Sequence, residues 1–230
     1  MYIIEGNMGV GKSTFLKLLK QRYLKIDIKF EPREKWMDNS LLVMFFENPK
    51  RWEYTIETFI MMCRVKDYLQ LQKQKNSQLV LERSVYGGHF CYAQVGYESG
   101  YMTELEWKLY NEWADFLIKD QCLPPKGFIY LKASPETCVK RVEKRNWKSE
   151  ECAPKEFIES LHKWHERFLI QKKNLFENLK DIPVLVLDVT EGFETNTKLM
   201  DDHARKVMDF MDQTQIMPHI HAATPRQTYL

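Results

Sequence analysis

No charge bias marks this chain: 34 lysines and arginines stand against 32 aspartates and glutamates, a net +2 over 230 residues. Global charge therefore gives no reason to expect a nucleic-acid partner. Long apolar runs are missing too, so no segment is suited to crossing a bilayer, and no signal peptide precedes the first apolar stretch. The expectation is a cytoplasmic protein with no membrane attachment. Paired cysteines are absent. Cys63, Cys91, Cys122, Cys138 and Cys152 are widely spaced with no CxxC, which argues against a zinc site or a disulfide framework and for free thiols, buried or incidental. No internal repeat is visible. His219 and His221 lie close together, but in a polar, proline-containing end with weak periodicity, the composition of a mobile tail rather than a metal site.

What is present is an ordinary core-forming composition, 44% hydrophobic and 29% charged, in a length that suits one domain. Short apolar runs, "YIIE" (2–5), "IDIKFE" (26–31), "LVLER" (79–83), "FIYLKA" (128–133) and "VLVLDV" (184–189), read as strands. Helical spacing marks "KSTFLKLLKQRYL" (12–24), two helices joined near "ENP" within 41–75, and stretches near 103–119, 135–146, 154–180 and 195–212. Strands alternating with helices imply an α/β fold, a five-stranded parallel sheet with helices on both faces. The domain is expected over 1–212 and the tail over 213–230.

Between the first strand and first helix stands "GNMGVGKST" (6–14), a G-x-x-x-x-G-K-S loop in the context that gives the motif its meaning. Backbone N–H groups from Gly6, Asn7, Met8, Gly9, Val10, Gly11 and Thr14 would converge on phosphate oxygens at a helix N-terminus. Lys12 would neutralise phosphate charge and Ser13 would ligate Mg²⁺. The loop implies a bound nucleoside triphosphate and leaves the acceptor open. Ligands of parallel sheets bind beyond the carboxyl ends of the strands, so "FEPREKW" and "LERSVY" bring Glu31, Glu82 and Arg83 to that rim. Glu31 would take a proton from an acceptor hydroxyl, Glu82 would hold Mg²⁺ or its water, and Arg83 would hold the acceptor oxygen.

In order along the chain, "EGNMGVGKSTF", "EPREKW", "NPKRW", "ERSVY", "YLKASPETCVKRV", "LHKWHERFL" and "IPVLVLDV" resemble the deoxyribonucleoside kinases of the deoxycytidine, deoxyguanosine and insect multisubstrate type, over about residues 2–212. The resemblance implies a P-loop kinase fold with a mobile lid (about 141–153), and a homodimer. It implies transfer from ATP-Mg²⁺, or another nucleoside triphosphate, to the 5′-hydroxyl of a deoxyribonucleoside. It assigns Glu31 as general base, Arg83 as its partner at the 5′-hydroxyl, Glu82 as the magnesium carboxylate, and Trp36 and Tyr92 as aromatics around the base. Arg141 and Arg145 fall at nucleotide-contacting arginines of the lid, and Glu150 at the glutamate that holds the 3′-hydroxyl. A third lid arginine is replaced by Trp147, with Lys148 beside it. "TEGFET", with Gly192 and Phe193, matches the loop that cradles adenine through its backbone.

The chain departs from that pattern where substrate is chosen. Phe46 in "MFFENP" replaces a tyrosine that helps fix the 3′-hydroxyl, which predicts weaker sugar discrimination. Glu57 replaces the glutamine that reads the base edge. Gly88, in "ERSVYGG", replaces an aspartate that in deoxycytidine-type members pairs with an arginine, and that arginine remains as Arg64. Glu57, Ile60 and Arg64 share one helix face, and Ile60 stands where pocket depth is set. An ionised carboxylate only accepts hydrogen bonds. Guanine offers N1–H and N2–H together, and its O6 and N7 suit an arginine. The expectation is a preference for deoxyguanosine, with Glu57 and Arg64 as readers. A Glu57–Arg64 pair, or a protonated Glu57, would instead leave a broader or deoxycytidine/deoxyadenosine-type pocket. A thymidylate-like monophosphate kinase stays open through Arg33, and a non-catalytic nucleotide switch is the remaining alternative.

Overall fold

The protein, in a computed structural model, is described over residues 1–32, 41–74, 78–145 and 154–216. Five parallel strands form one sheet in the order β2-β3-β1-β4-β5: β1 Tyr2–Glu5, β2 Asp27–Lys29, β3 Leu79–Glu82, β4 Gly127–Lys132 and β5 Val184–Asp188. β1 is the middle strand, with Ile3 opposite Leu81 on one side and Phe128 on the other. All four of its residues are buried, as expected of a parallel strand covered on both faces. Period-two alternation divides the core. Ile3 faces a cluster with Leu81, Tyr86, Phe128 and Tyr130. Tyr2 and Ile4 face the opposite cluster with Phe15, Val80, Ile129 and Leu131.

Helices cover both faces: α1 Lys12–Arg22, α2 Leu41–Glu47, α3 Pro49–Leu71, α5 Glu104–Ala114, α6 Pro135–Arg145, α7 Lys155–His165 and α8 Thr197–Ile216. Between β3 and α5 runs α4, made of Val85–Gly87, a π-wound Gly88–Ala93 and Gln94–Glu98. Helix α3 starts where "ENP" predicts: Asn48 caps it by accepting from the Arg51 amide, and Pro49 takes the first turn, where its missing N–H costs nothing. Thr103 and Glu106 close a capping box at α5. No described helix is long and apolar enough to cross a membrane.

Four elements differ from the sequence reading. β2 ends at Lys29, so Glu31 stands two residues beyond the strand. The helix expected over 154–180 ends after a π turn at Glu166–Ile170, because Lys172 (φ 50°) and Asn174 (φ 56°) take left-handed backbone. The sequence reading placed no helix at α4, where glycines 87, 88 and 96 lower helix propensity. Burial of Val85, Tyr86, Phe90, Cys91, Ala93 and Val95 against the sheet overrides that preference. Finally, α8 continues to Ile216, past the expected boundary at 212. Tyr2 holds this end, donating to the Met211 carbonyl at 2.8 Å and sharing a 2.7 Å hydrogen bond with buried Thr214. Residues 217–230, including His219 and His221, lie outside the described residues.

Candidate active site

The loop after β1 lies at the sheet's centre, where the chain leaves β1 toward one edge and β4 flanks the other side. Gly9 has φ 73° and lies so close to α6 that a Cβ there would stand 2.5 Å from the Cys138 carbonyl oxygen. Only glycine fits both demands. Asn7 anchors the loop from beneath, its amide donating to the Ile158 carbonyl at 2.9 Å while its oxygen accepts from the Met8 amide at 2.8 Å. Buried Lys12 opens α1 and donates to the carbonyls of Gly6 and Asn7, each at 2.8 Å. No acidic side chain sits in the first turn of α1, so its N–H groups and dipole favour an anion.

Beside the loop, Gly9, Val10, Gly11, Arg141, Lys144, Gly192, Phe193, Glu194 and Thr195 line a cleft of about 970 Å³, open solvent included. Phe193 packs edge-on against Phe15 at 5.5 Å, and its ring tip lies 3.1 Å from where a Gly11 Cβ would be. Arg141 ties the two segments together, donating to the carbonyls of Val10 (3.2 Å), Val189 (2.8 Å) and Thr190 (3.3 Å). The sequence-predicted adenine loop therefore does flank the phosphate loop.

At the acceptor end the predicted residues meet. Glu82, last in β3, accepts from the Ser13 hydroxyl at 2.5 Å through one oxygen and from the Glu31 backbone N–H at 3.4 Å through the other. One carboxylate thus joins the phosphate loop to the segment that carries Glu31. Arg83 follows in a left-handed conformation, φ 63°, with its amide donating to the Ile4 carbonyl at 3.0 Å. That backbone costs about 1–3 kcal/mol in a non-glycine residue, and it turns the guanidinium into the rim. There Arg83 Nε lies 3.1 Å from Glu31 Oε2, while Arg64 donates to Glu31 Oε1. Arg83 also donates to the Tyr92 hydroxyl and lies 4.8 Å over its ring. Burial opposes the charge on Arg83, but the Tyr92 and Glu31 oxygens outweigh it. Burial pushes Tyr92 up to about 12, against the pull of Arg83, so it stays a neutral phenol.

Hydroxyl and carboxylate oxygens are what Mg²⁺ prefers, and this ion takes one or two protein ligands plus phosphate and water rather than a full protein cage. The Ser13–Glu82 pair fits that pattern.

Two contacts bear on the expected base readers. The Arg64 guanidinium is on Glu31. Glu57 lies near enough for Arg64 to lower its pKa, but no ion pair joins the two among the described residues. The physical reason lies at Gly88, where a Cβ would come within 2.7 Å of Arg64 Nη1. With no side chain or carboxylate there, the guanidinium settles over Gly88 and onto the nearest strong acceptor. Glu57 is buried on the same face of α3, and burial pushes its carboxyl up to about 7, against the lowering effect of Arg64 and Arg83. Phe46 and Ile60 meet in one apolar cluster with Phe45 and Tyr101, Phe46 packing on Phe45 at 4.9 Å. Arg33, Trp36, Trp147, Lys148, Glu150 and the side chain of Arg145 lie outside the described residues.

Two buried carboxyls escaped the sequence reading. Glu5 ends β1 and accepts from the Ser84 hydroxyl at 2.6 Å; burial raises its pKa. An acid in the otherwise apolar "YIIE" was the available signal. Glu53 lies one turn before Glu57 on α3, and burial followed by the Glu57 charge raises it well above the ordinary range. Its i, i+4 spacing from Glu57 was legible.

A family model described as deoxynucleoside kinase matches residues 2–212. "Deoxyguanosine kinase, mitochondrial" of Xenopus laevis is 38% identical, covering 90% of this chain and 88% of its own length. "Deoxycytidine kinase" of Homo sapiens is 33% identical over 90% of this chain and 89% of its own. A "probable deoxycytidine kinase" of fowlpox virus is 29% identical over 93% and 88%. The mitochondrial name of the first relative lends no support to the cytoplasmic expectation.

Proposed function

This chain belongs to the deoxynucleoside kinase family, so it is a kinase that transfers phosphate from a nucleotide to a nucleoside; on that premise we propose ATP-Mg²⁺ as donor, the 5′-hydroxyl as acceptor and deoxyguanosine as preferred substrate. One observation carries the reading: Glu82 links Ser13 of the phosphate loop to Glu31, which puts donor and acceptor chemistry on one rim. Glu31 accepts the 5′-hydroxyl proton as the O5′–Pγ bond forms and the bond from Pγ to the β-phosphate oxygen breaks. Arg83 orients that hydroxyl and offsets charge on the transferring group, as Lys12 does from the loop. Ser13 and Glu82 would hold Mg²⁺, which would offset charge on the phosphate oxygens. Arg141, beside the phosphate loop, serves the donor phosphates and Tyr92 packs at the nucleoside; the resemblance adds Arg145 at the donor, Trp36 at the base and Glu150 at the 3′-hydroxyl.

The guanine preference rests on Glu57. Ionised, it matches the N1–H and N2–H pair and repels the N3 lone pair of cytosine. Relative kcat/KM for deoxyguanosine, deoxyadenosine, deoxycytidine and thymidine tests this, with Glu57→Gln expected to move preference toward deoxycytidine and deoxyadenosine. An unchanged ranking in the variant would end the guanine reading. The same assay with deoxyguanosine monophosphate as acceptor separates a nucleoside kinase from a monophosphate kinase.

We also propose a homodimer. Leu105, Leu109 and Trp113 on α5, with Phe116 in the π turn that follows, recur at helical spacing and are between 44% and 66% exposed. Met62 on the adjacent α3 is 52% exposed. A contiguous apolar stripe of this kind marks a partner surface, and a second copy of the chain supplies the same stripe.

A further inference from the structure

We propose that Glu5, the buried acid that ends β1, is a positioning residue that holds Arg83 in its working conformation through Ser84. The inference rests on the reading of Arg83 as partner of the acceptor hydroxyl, and it is independent of which base is preferred.

Glu5 ends an otherwise apolar strand at the centre of the sheet and is fully buried. Burial raises its pKa, which marks the ionised form as disfavoured there. Its Oε2 has no hydrogen-bond partner among the described residues. A group of this kind weakens a fold rather than building it. What it supplies is at Oε1. The Ser84 hydroxyl donates its one proton to Oε1 at 2.6 Å, and the same oxygen accepts the Gly87 N–H at 3.0 Å. That second bond caps the first turn of α4. A Cβ on Gly87 would lie 2.4 Å from Oε1 and 2.7 Å from Oε2, so the carboxyl is pressed against the start of α4.

Two consecutive tethers therefore join β1 to the turn that carries Arg83. The Arg83 amide donates to the Ile4 carbonyl at 3.0 Å, and the next residue, Ser84, is on the Glu5 carboxyl. The left-handed backbone of Arg83, φ 63°, is one that a non-glycine residue keeps only where its surroundings over-determine it. The two tethers do so. Tyr92, which accepts from the Arg83 guanidinium, comes from the helix that Ser84 caps. Glu5 thus fixes both the arginine and the ring beneath it. It does so from the position just before Gly6, where the phosphate loop begins, so the donor loop and the acceptor arginine share one anchor. Without the Ser84 tether, Arg83 is free to leave the left-handed region and to draw its Nε away from Glu31 Oε2, now 3.1 Å distant.

The experiment is single-turnover phosphoryl transfer by rapid quench, with steady-state kinetics and thermal unfolding of the same full-length variants. ATP-Mg²⁺ is the donor, and the acceptor is whichever of the four deoxynucleosides gives the highest kcat/KM. Glu5→Met removes the acceptor oxygen and keeps the side-chain length. Its saturating rate should fall about 10- to 100-fold, the range of a small misplacement at a reacting centre. KM for both substrates should hold, so that kcat and kcat/KM fall together. Its unfolding temperature should be no lower than that of the unaltered protein, because a buried acid has gone. Glu5→Gln has the same shape and still offers an oxygen to Ser84, and it should keep the rate. Ser84→Ala cuts the same link from the other side and should lose the rate by a similar factor, whether or not Glu5→Met folds. The double variant should be no slower than either single one. Full rate in Ser84→Ala, a Glu5→Gln protein as slow as Ser84→Ala, or a loss confined to KM for ATP would each overturn the proposal. The underlying reading of Arg83 fails separately: Arg83→Lys, which lacks the planar fork, would then react at the full rate.

Discussion

Glu57 loses its proton near pH 7 rather than at the ordinary 4.5, because burial outweighs the attraction of Arg64 and Arg83, with the Glu31 charge acting in the same direction as burial. Protonated Glu53 backs it from the previous turn, and Tyr110 on α5 feels its charge. The consequence is a change of hydrogen-bond code within the physiological range. A protonated carboxyl offers a donor and an acceptor, much as glutamine does, whereas the ionised form only accepts. The ratio of kcat/KM for deoxyguanosine over deoxycytidine should therefore rise between pH 6 and pH 8. Glu57→Gln should flatten that profile, and a ratio independent of pH in the unaltered protein would contradict it. Stability has its own sign. A carboxyl raised on folding stays protonated where the unfolded chain has ionised, so the native state binds more protons. Glu57 should make the protein lose stability as pH climbs from the ordinary carboxylate range to about 7, and no further above it. Denaturant titrations of the protein and of Glu57→Gln at pH 5 and 7 check this.

At the scale of elements, α4 decides how close the site's layers approach. Its π-wound segment, Gly88–Ala93, sets Tyr92 under Arg83, and an extra residue in a helical turn often serves a site in this way. Gly96, later in the same helix, is packed against α3 so tightly that a Cβ would lie 1.7 Å from Glu53 Oε1. Glu53 is only 2% exposed and has little room to withdraw. Gly96→Ala should destabilise the protein by about 1–3 kcal/mol, the cost of overpacking. Removing the obstructing side chain with Glu53→Ala should restore part of the loss, so the two effects measured by thermal unfolding should not add. Additive losses would mean that Gly96 acts through some other contact. This element was also the hardest to read. Strands announced themselves as apolar runs and α5 by its helical spacing, but α4 carries glycines that only burial against the sheet explains. The proposed site residues were legible because Glu82 and Arg83 ride on a strand end and Glu31 follows one closely, where "LERSVY" and the glycine loop are short local words. The contact of Arg64 with Glu31 was not legible, because a side chain on one helix meets an acceptor that lies beyond the end of a strand far away in sequence.

For the whole molecule, the open question of assembly has a direct test. The stripe of Leu105, Leu109, Trp113 and Phe116 faces away from the chain's own core. Trp113→Glu would place a charge in the middle of any interface there. Light scattering after size-exclusion should give twice the chain mass for the unaltered protein and the single chain mass for the variant. Far-ultraviolet circular dichroism should remain unchanged, since Trp113 is 48% exposed within the chain. A single chain mass for the unaltered protein would dismiss the dimer.

The chain's own order of residues determined the α/β alternation, the phosphate loop and the identity of Glu31, Glu82 and Arg83. These depend on periodicity and on motifs a few residues long, which local sterics and backbone hydrogen bonding dictate. Tertiary structure alone decided the rest. It extended α8 to Thr214 and beyond through a contact with Tyr2, and it drove a glycine-rich segment into a helix. It also placed Arg64 on Glu31. Each of those outcomes turns on groups far apart in sequence competing for one partner in a buried space. That competition is settled by distance, burial and charge together, none of which a linear pattern contains.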